Sequence, residues 1–241
     1  GRCGMSLDEL TLKACGLTSR DLIDCGGDGL LAPQAAQALV SLRARAKRAG
    51  FRLAVASSFR GYSRQLAIFN AKARGQRLVT DERDRPIERT RVSEEQYLHA
   101  ILRFSALPGT SRHHWGTDLD VWDSAAVAND YALQLSVAEY GHSGPFYDFA
   151  MWLQEKALQD HAEGFYLPYL EDSGGVAPEP WHLSYRPGTI GLRERQTADV
   201  LDALWATDLA QPLDSVIEEP LELIHIVRPH IDSLLSRYVV T

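Results

Sequence analysis

Three short segments of the 241-residue chain concentrate residue types that can bind a metal ion and move protons. A catalytic zinc site takes imidazole nitrogens and carboxylate oxygens from three protein groups and leaves a fourth position open. His113, Asp120 and His182 can supply such a set, two of them from one local segment and one from a distant strand. The three segments are Ser111-Arg112-His113-His114-Trp115-Gly116-Thr117-Asp118-Leu119-Asp120, Glu179-Pro180-Trp181-His182 and Ser57-Ser58-Phe59-Arg60-Gly61-Tyr62-Ser63-Arg64-Gln65.

Two further charged residues can complete a hydrolytic site. Glu179 precedes His182 by three residues in a non-helical Pro-Trp context, so it can project beside a metal rather than onto it. There it can take a proton from the attacking water and pass it to the leaving amine. Arg60 offers a fixed cation for a carbonyl oxyanion or a terminal carboxylate. Taken singly, each of these residues is more often a surface, capping or packing group; their order and tight spacing point to chemistry.

The spacing of these residues resembles a known family. The pattern S-x-H-x-x-G-x-x-x-D, followed downstream by E-x-W-H, is similar to that of the VanY-type D-alanyl-D-alanine carboxypeptidases, zinc peptidases grouped with lysostaphin-type enzymes and hedgehog domains. The upstream segment resembles the S-x-[YF]-R-S-x-x-x-Q region of that family, with Gly61 in place of the second serine. The resemblance covers about Pro33 to Pro187.

The resemblance implies Zn²⁺ as the cofactor, with His113, Asp120 and His182 as its ligands and Glu179 as the catalytic base. His114 is the neighbouring histidine, but only His113 fits the spacing.

The resemblance also implies substrate-binding residues. Arg60 would bind substrate and stabilise the oxyanion, and Ser111 and Gln65 would line the substrate site. One departure is Asp118, because the family usually has a small residue two positions before the aspartate ligand. Asp118 can orient a metal ligand or meet a cationic substrate group; a solvated or capping acid is the alternative.

The implied reaction removes a C-terminal D-alanine from a peptidoglycan stem peptide or muropeptide. The sequence from Met5 onward has neither the basic start nor the apolar run of a signal peptide, so we expect a cytoplasmic protein, with a periplasmic one as the alternative. In the cytoplasm, cleavage of the L,D-bond of tetrapeptides would serve cell-wall recycling, which favours an L,D-carboxypeptidase. The alternatives are a D,D-carboxypeptidase on pentapeptides, an L-Ala–D-Glu endopeptidase and an inactive zinc-containing binding module.

Composition excludes several other classes. The net charge of −7 argues against a nucleic-acid partner, which usually meets a basic surface. No apolar run approaches the ~18 residues needed to cross a bilayer, so no membrane partner is expected. An odd number of cysteines, 3, does not make a disulfide framework. The oligomeric state stays open.

The elements that must position these residues mix helices with strands. Helical patterns without regular alternation with strands favour an α+β fold, an antiparallel central sheet flanked by helices, as in the zinc peptidases that the motifs resemble.

We divide the chain into an N-terminal helix and loop (1–32), a catalytic domain (33–187) and a C-terminal helical extension on the same domain (188–241). Segment 72–108 is long for the family and predicts a lid or specificity insertion; an inert surface excursion is the alternative. Helices are predicted at 33–50, 61–74, 94–104, 146–161, 191–209, 213–227 and 229–239, and strands at 51–57, 119–122, 165–170 and 181–185.

Overall fold

A four-stranded antiparallel sheet forms the centre of the computed structural model, which describes residues 7–206 and 219–239. Its strand order is β3-β4-β6-β5, and β1 and β2 form a separate two-stranded ribbon. The prediction of an antiparallel sheet flanked by helices is therefore confirmed. The strands are β1 (Ile23–Asp24), β2 (Leu30–Leu31), β3 (Leu53–Ser57), β4 (Asp118–Asp123), β5 (Phe165–Tyr166) and β6 (His182–Tyr185).

The long helices begin and end close to their predicted limits. Helix α2 begins at Pro33, where a missing N–H costs nothing, and ends at Arg48 just before Gly50, which has φ +93°. Ser93 caps α4 in a capping box with Gln96. The α-helices are α1 (Glu9–Ala14), α2 (Pro33–Arg48), α3 (Tyr62–Ala73), α4 (Glu94–Leu102), α5 (Val137–Tyr140), α6 (Tyr147–Leu158), α7 (Ala198–Trp205), α8 (Ile224–Val227) and α9 (Ile231–Tyr238).

The two faces of β4 have different roles. Successive side chains of a strand point to opposite faces, so Leu119 and Val121 share one face while Asp118 and Asp120 share the other. The apolar face joins a core with residues of α2 and α6, such as Leu39 and Phe149. Burial of that face fixes the strand and thereby aims the two carboxylates away from the apolar core.

The C-terminal helices are shorter than the sequence predicts. The segment 191–197 contains a 3₁₀ turn at Arg193–Arg195 rather than the start of a long helix. The parts of the predicted helices 191–209 and 213–227 that fall on 207–218 lie outside the described residues. Residues of α7 and α9 share a core with residues of α3 and α4, including Trp205, Phe69 and Leu98. The indole of Trp205 donates a hydrogen bond to the Pro108 carbonyl oxygen, 2.9 Å away. The three-part division of the chain stays a prediction.

Other differences from the predictions are local. Strand β5 has two residues rather than six, β6 starts one residue late, and the region predicted as N-terminal helix and loop also contains the β1–β2 ribbon. No helix in the described ranges is both long and apolar enough to cross a membrane.

Candidate active site

A tight turn and a strand together place His113 and Asp120. The Ser111 hydroxyl accepts the His113 N–H at 3.2 Å and begins a 3₁₀ turn, which Gly116 ends at φ +72°. The left-handed φ favours glycine there, and a Cβ at this position would also lie only 3.1 Å from the backbone nitrogen of Ala32. Strand β4 follows directly, and this turn folds His113 back over the polar face of the strand.

The register between β4 and β6 brings the distant motif to the same face. Asp120 lies opposite His182, and Asp118 lies opposite Ser184. Residues two apart on one strand share a face, so all four side chains project on the side away from the apolar core. The sheet thus joins two motifs that are about 60 residues apart in the chain.

The three predicted metal ligands converge on one point. The atoms that His113, Asp120 and His182 can offer all lie within 4.8 Å of one another. Asp120 Oδ1 lies 3.4 Å from His113 Nε2 and 3.7 Å from His182 Nδ1. His113 uses its Nδ1–H on the Ser58 carbonyl oxygen at 2.8 Å, which leaves the Nε2 lone pair directed at Asp120.

The burial of Asp120 indicates that this group is suited to hold a zinc ion. Asp120 Oδ1 is buried and has no hydrogen-bond partner among the described residues. An uncompensated buried carboxylate oxygen is costly, and a cation between it and two imidazoles would satisfy it. Two histidines and one carboxylate also match the ligand chemistry of a catalytic zinc site.

Behind the metal group lies a buried network that holds His182. Asp118 Oδ2 lies 2.6 Å from His182 Nε2 and accepts a hydrogen bond from Arg112 Nε at 2.9 Å. Its Oδ1 accepts from the hydroxyls of Thr117 and Ser184. Burial alone would raise the pKa of Asp118, but Arg112 and His182 outweigh it and hold that pKa well below its usual range. Asp118 is therefore a fully hydrogen-bonded anion that fixes the ring of His182.

Glu179 lies beside the metal group. Its Oε2 is 3.0 Å from His182 Nδ1, the same nitrogen that Asp120 faces. Its backbone N–H donates to the Tyr169 carbonyl oxygen at 2.8 Å, which anchors the loop before β6. Burial alone would lower the pKa of His182, but Asp118 and Glu179 outweigh it and raise that pKa to about 10.

Arg60 is held rigidly at the same cavity. Its Nη1 donates to Gln65 Oε1 at 3.0 Å and its Nη2 to Ser57 Oγ at 3.1 Å. Gln65 in turn donates to the Ala106 carbonyl oxygen at 2.8 Å. Gln65 is buried at 1% exposure, and it lies behind Arg60 rather than on the cavity wall as the sequence suggested. The reason is that both ends of its amide are engaged, one by Arg60 and the other by the Ala106 carbonyl oxygen.

His114 has a structural position. Its Nε2 accepts the Gly109 N–H at 3.0 Å, so its proton is on Nδ1, which lies 2.7 Å from the Arg60 carbonyl oxygen. Burial lowers the pKa of His114 to about 3, so the ring is neutral. Both nitrogens are occupied, and of the two adjacent histidines His113 is the one in the metal group.

These residues surround one cavity of about 620 Å³. The metal group, Glu179, Arg60 and Ser111 line it, and segment 72–108 contributes a wall that includes Lys72 and Asp84. The segment is thus part of the site. The sequence alone did not indicate Lys72 or Arg112 as residues of the site. The sequence feature that could have indicated a role for Arg112 is the oppositely charged Asp118 six residues later, although only the intervening turn brings the two side chains together.

Two imidazoles and a carboxylate in one cluster, with a separate glutamate and a fixed guanidinium in the same cavity, define a metal-dependent hydrolase site. The sequence model of the VanY family, D-alanyl-D-alanine carboxypeptidase, matches residues 28–188, more than half of the chain. The chain belongs to this family. The predicted family and peptidase class are thereby confirmed, and the predicted ligands form a group that can hold a metal ion.

Two sequence relatives and two solved structures also resemble this chain. An uncharacterized protein of Haemophilus influenzae (strain Rd) is 28% identical over 136 residues, 56% of this chain and 93% of the relative. A second uncharacterized protein of that organism is 42% identical over 77 residues, 32% of this chain and 53% of the relative. A crystal structure of a mutant of the vancomycin resistance D,D-pentapeptidase VanY, in complex with Zn(II), is 21% identical with a TM-score of 0.49, covering 73% of this chain and 89% of that one. The LD-carboxypeptidase LdcB is 21% identical with a TM-score of 0.47, covering 80% of this chain and 79% of that one.

Proposed function

We propose that this protein is a zinc-dependent carboxypeptidase that releases D-alanine from the C-terminus of peptidoglycan stem peptides. The observation that carries the proposal is that the ligand atoms of His113, Asp120 and His182 come together around Asp120 Oδ1, which is buried and has no hydrogen-bond partner among the described residues. Glu179 Oε2 lies 3.0 Å from His182 Nδ1, the ring nitrogen that faces this oxygen. Glu179 also argues against an inactive binding module, because such a module has no need of a base.

The proposed reaction is hydrolysis of a single amide bond. A zinc ion held by these three ligands supplies Lewis-acid activation of water and of the scissile carbonyl. Glu179 takes one proton from the attacking water and delivers it to the amine of the departing D-alanine as the C–N bond breaks. Arg60 stabilises the negative charge that develops on the carbonyl oxygen.

Of the two bonds that such an enzyme can cut, we propose the L,D-bond of tetrapeptides. In a tetrapeptide the residue before the scissile bond is a diamino acid, whereas in a pentapeptide it is D-alanine. Asp84 lines the cavity from segment 72–108, and its carboxylate can pair with a side-chain amine. We keep the cytoplasm as the proposed location, where this activity would serve recycling of wall fragments.

The description of the family favours a second candidate, the D,D-bond of pentapeptides. Incubation of the zinc-loaded protein with stem tetrapeptide and pentapeptide, followed by mass analysis, separates the two. The proposal predicts free D-alanine and a tripeptide from the tetrapeptide. Turnover of the pentapeptide alone would overturn the L,D assignment. Release of a longer peptide without D-alanine would instead indicate an endopeptidase.

A further inference from the structure

Lys72 lies on the same face of α3 as Gln65, the residue that accepts a hydrogen bond from Arg60. Gln65, Ile68 and Lys72 follow each other at intervals of three and four residues, which places them along one side of a helix. Lys72 and Ile68 both line the cavity. Two helical turns, about 10 Å along the axis, separate Lys72 from Gln65. A second cation thus enters the cavity beyond Arg60.

Lys72 forms no ion pair with a carboxylate in the part of the chain that the structure describes, and Glu179 acts on it only from a distance. Its Nζ donates a hydrogen bond to Ser105 Oγ. Burial, assisted by the charges of Arg77 and Arg60, lowers the pKa of Lys72 to about 8. A partly desolvated ammonium group in a cavity is a receptor for an anion, because an anionic ligand restores the lost solvation.

The other cations at the cavity are committed or exposed. Arg112 pairs with the buried carboxylate of Asp118 at 2.9 Å. Arg60 is fixed by two side-chain hydrogen bonds, and the nearby charges of Asp120 and Glu179 act on it. Arg77 lines the cavity but is largely exposed. Lys72 is the half-buried cation that remains for a second anionic group.

We propose that Lys72 is the receptor for the terminal carboxylate of the substrate, with the Ser105 hydroxyl beside it. The inference rests on the proposed function and deepens it. Arg60 then serves the scissile carbonyl oxygen, and the released residue binds with its carboxylate at Lys72. Ile68, which lies between Gln65 and Lys72 along α3 and lines the cavity, offers an apolar contact for a short side chain such as the methyl group of D-alanine. This arrangement accepts a free chain end and disfavours cleavage inside a peptide.

Binding of the stem tetrapeptide and of its C-terminal carboxamide tests this assignment. The measurement uses calorimetry on zinc-loaded Glu179→Ala protein, in which no turnover is expected. With Lys72 present, the acid should bind about 10- to 100-fold more tightly than the amide, as for a hydrogen bond between charged groups. Lys72→Met should remove that preference, Lys72→Arg should keep most of it, and Lys47→Met, on the exposed side of α2, should leave it unchanged.

An unchanged preference for the acid in Lys72→Met would overturn the assignment, and so would equal binding of acid and amide by protein that retains Lys72. Thermal unfolding establishes that each variant is folded. If Lys72→Met does not fold, Ser105→Ala takes its place, with a several-fold loss of preference expected and no loss contradicting the proposal. If the wild-type protein releases no D-alanine yet binds the acid through Lys72, the reaction is wrong and the subsite stands. If D-alanine is released normally but the preference for the acid over the amide is the same with and without Lys72, the subsite alone is refuted.

Discussion

Asp118 and His182 form a buried pair in which the carboxylate oxygen Oδ2 lies 2.6 Å from the ring nitrogen Nε2. Arg112 donates to the same oxygen, and the opposite nitrogen of the ring, Nδ1, faces Asp120. Asp118 holds the Nε2–H of His182, so Nδ1 is the nitrogen that would give up its proton to bind a metal. Asp118 is therefore the orienting group behind one metal ligand.

Replacing Asp118 by Asn should weaken zinc binding by about 10- to 100-fold, the usual effect of losing such an orienting partner. The reason is that an amide no longer holds Nε2–H with a full charge. Competition with a chromophoric chelator measures the zinc affinity directly. Asp148→Asn, an exposed acid on α6, serves as the matched control. Equal zinc affinity in folded Asp118→Asn and in the control would contradict the orienting role.

Arg112 should stabilise the fold through the same pair. Arg112→Met removes one of the two cationic partners of Asp118, which is buried at 0% side-chain exposure. Loss of a buried pair typically costs about 3–5 kcal/mol, and we expect the lower end because His182 stays 2.6 Å from the same oxygen. Adding Asp118→Asn should recover part of that loss, because the buried charge that lost a partner is gone. Urea unfolding of zinc-free protein gives these free energies. Arg91→Met, in the exposed pair with Glu88, should cost under about 1 kcal/mol. A loss for Arg112→Met as small as this would show that the pair contributes little.

Lys72 should give the reaction an alkaline limit. Its pKa is lowered to about 8 from the ordinary 10.5, so the ammonium loses its charge as the pH rises through 8. Below that pH the cation binds the substrate carboxylate, and above it kcat/KM for the tetrapeptide should fall about tenfold per pH unit. The charged groups that act on Lys72 are Arg77 and Arg60, which lower this pKa, and Glu179, which raises it.

The pH profile of Lys72→Arg provides the control, because arginine stays charged throughout this range. That variant should lack the decline near pH 8. A decline at the same pH in both proteins would assign it to another group.

The local motifs were predictable because they depend on short-range rules. Gly116 is needed for a turn at positive φ, and alternation along β4 puts Asp118 and Asp120 on one face, so the sequence alone indicates where these carboxylates project. The pairing of Asp120 with His182 followed from the family pattern rather than from local physics.

Contacts between elements were not predictable in this way. Gln65 was expected at the substrate site, but its buried amide is held between Arg60 and the Ala106 carbonyl oxygen, a contact that no local pattern indicates. Lys72 was not predictable as a site residue, because the cavity around it is formed by residues distant in the chain, such as Ser105 and Val176. The C-terminal helices were predicted to be longer than they are, because tertiary packing rather than propensity decides where a short helix ends.

The most direct test of the account concerns Glu179, whose Oε2 lies beside the metal group. Glu179→Ala and, as the matched control, Glu171→Ala on the exposed loop before β6 are purified with zinc, and metal content and D-alanine release are measured on the same samples. We expect full zinc occupancy in both, with a loss of kcat of at least about 100-fold in Glu179→Ala alone. D-alanine release at the wild-type rate by zinc-loaded Glu179→Ala would contradict the proposed mechanism.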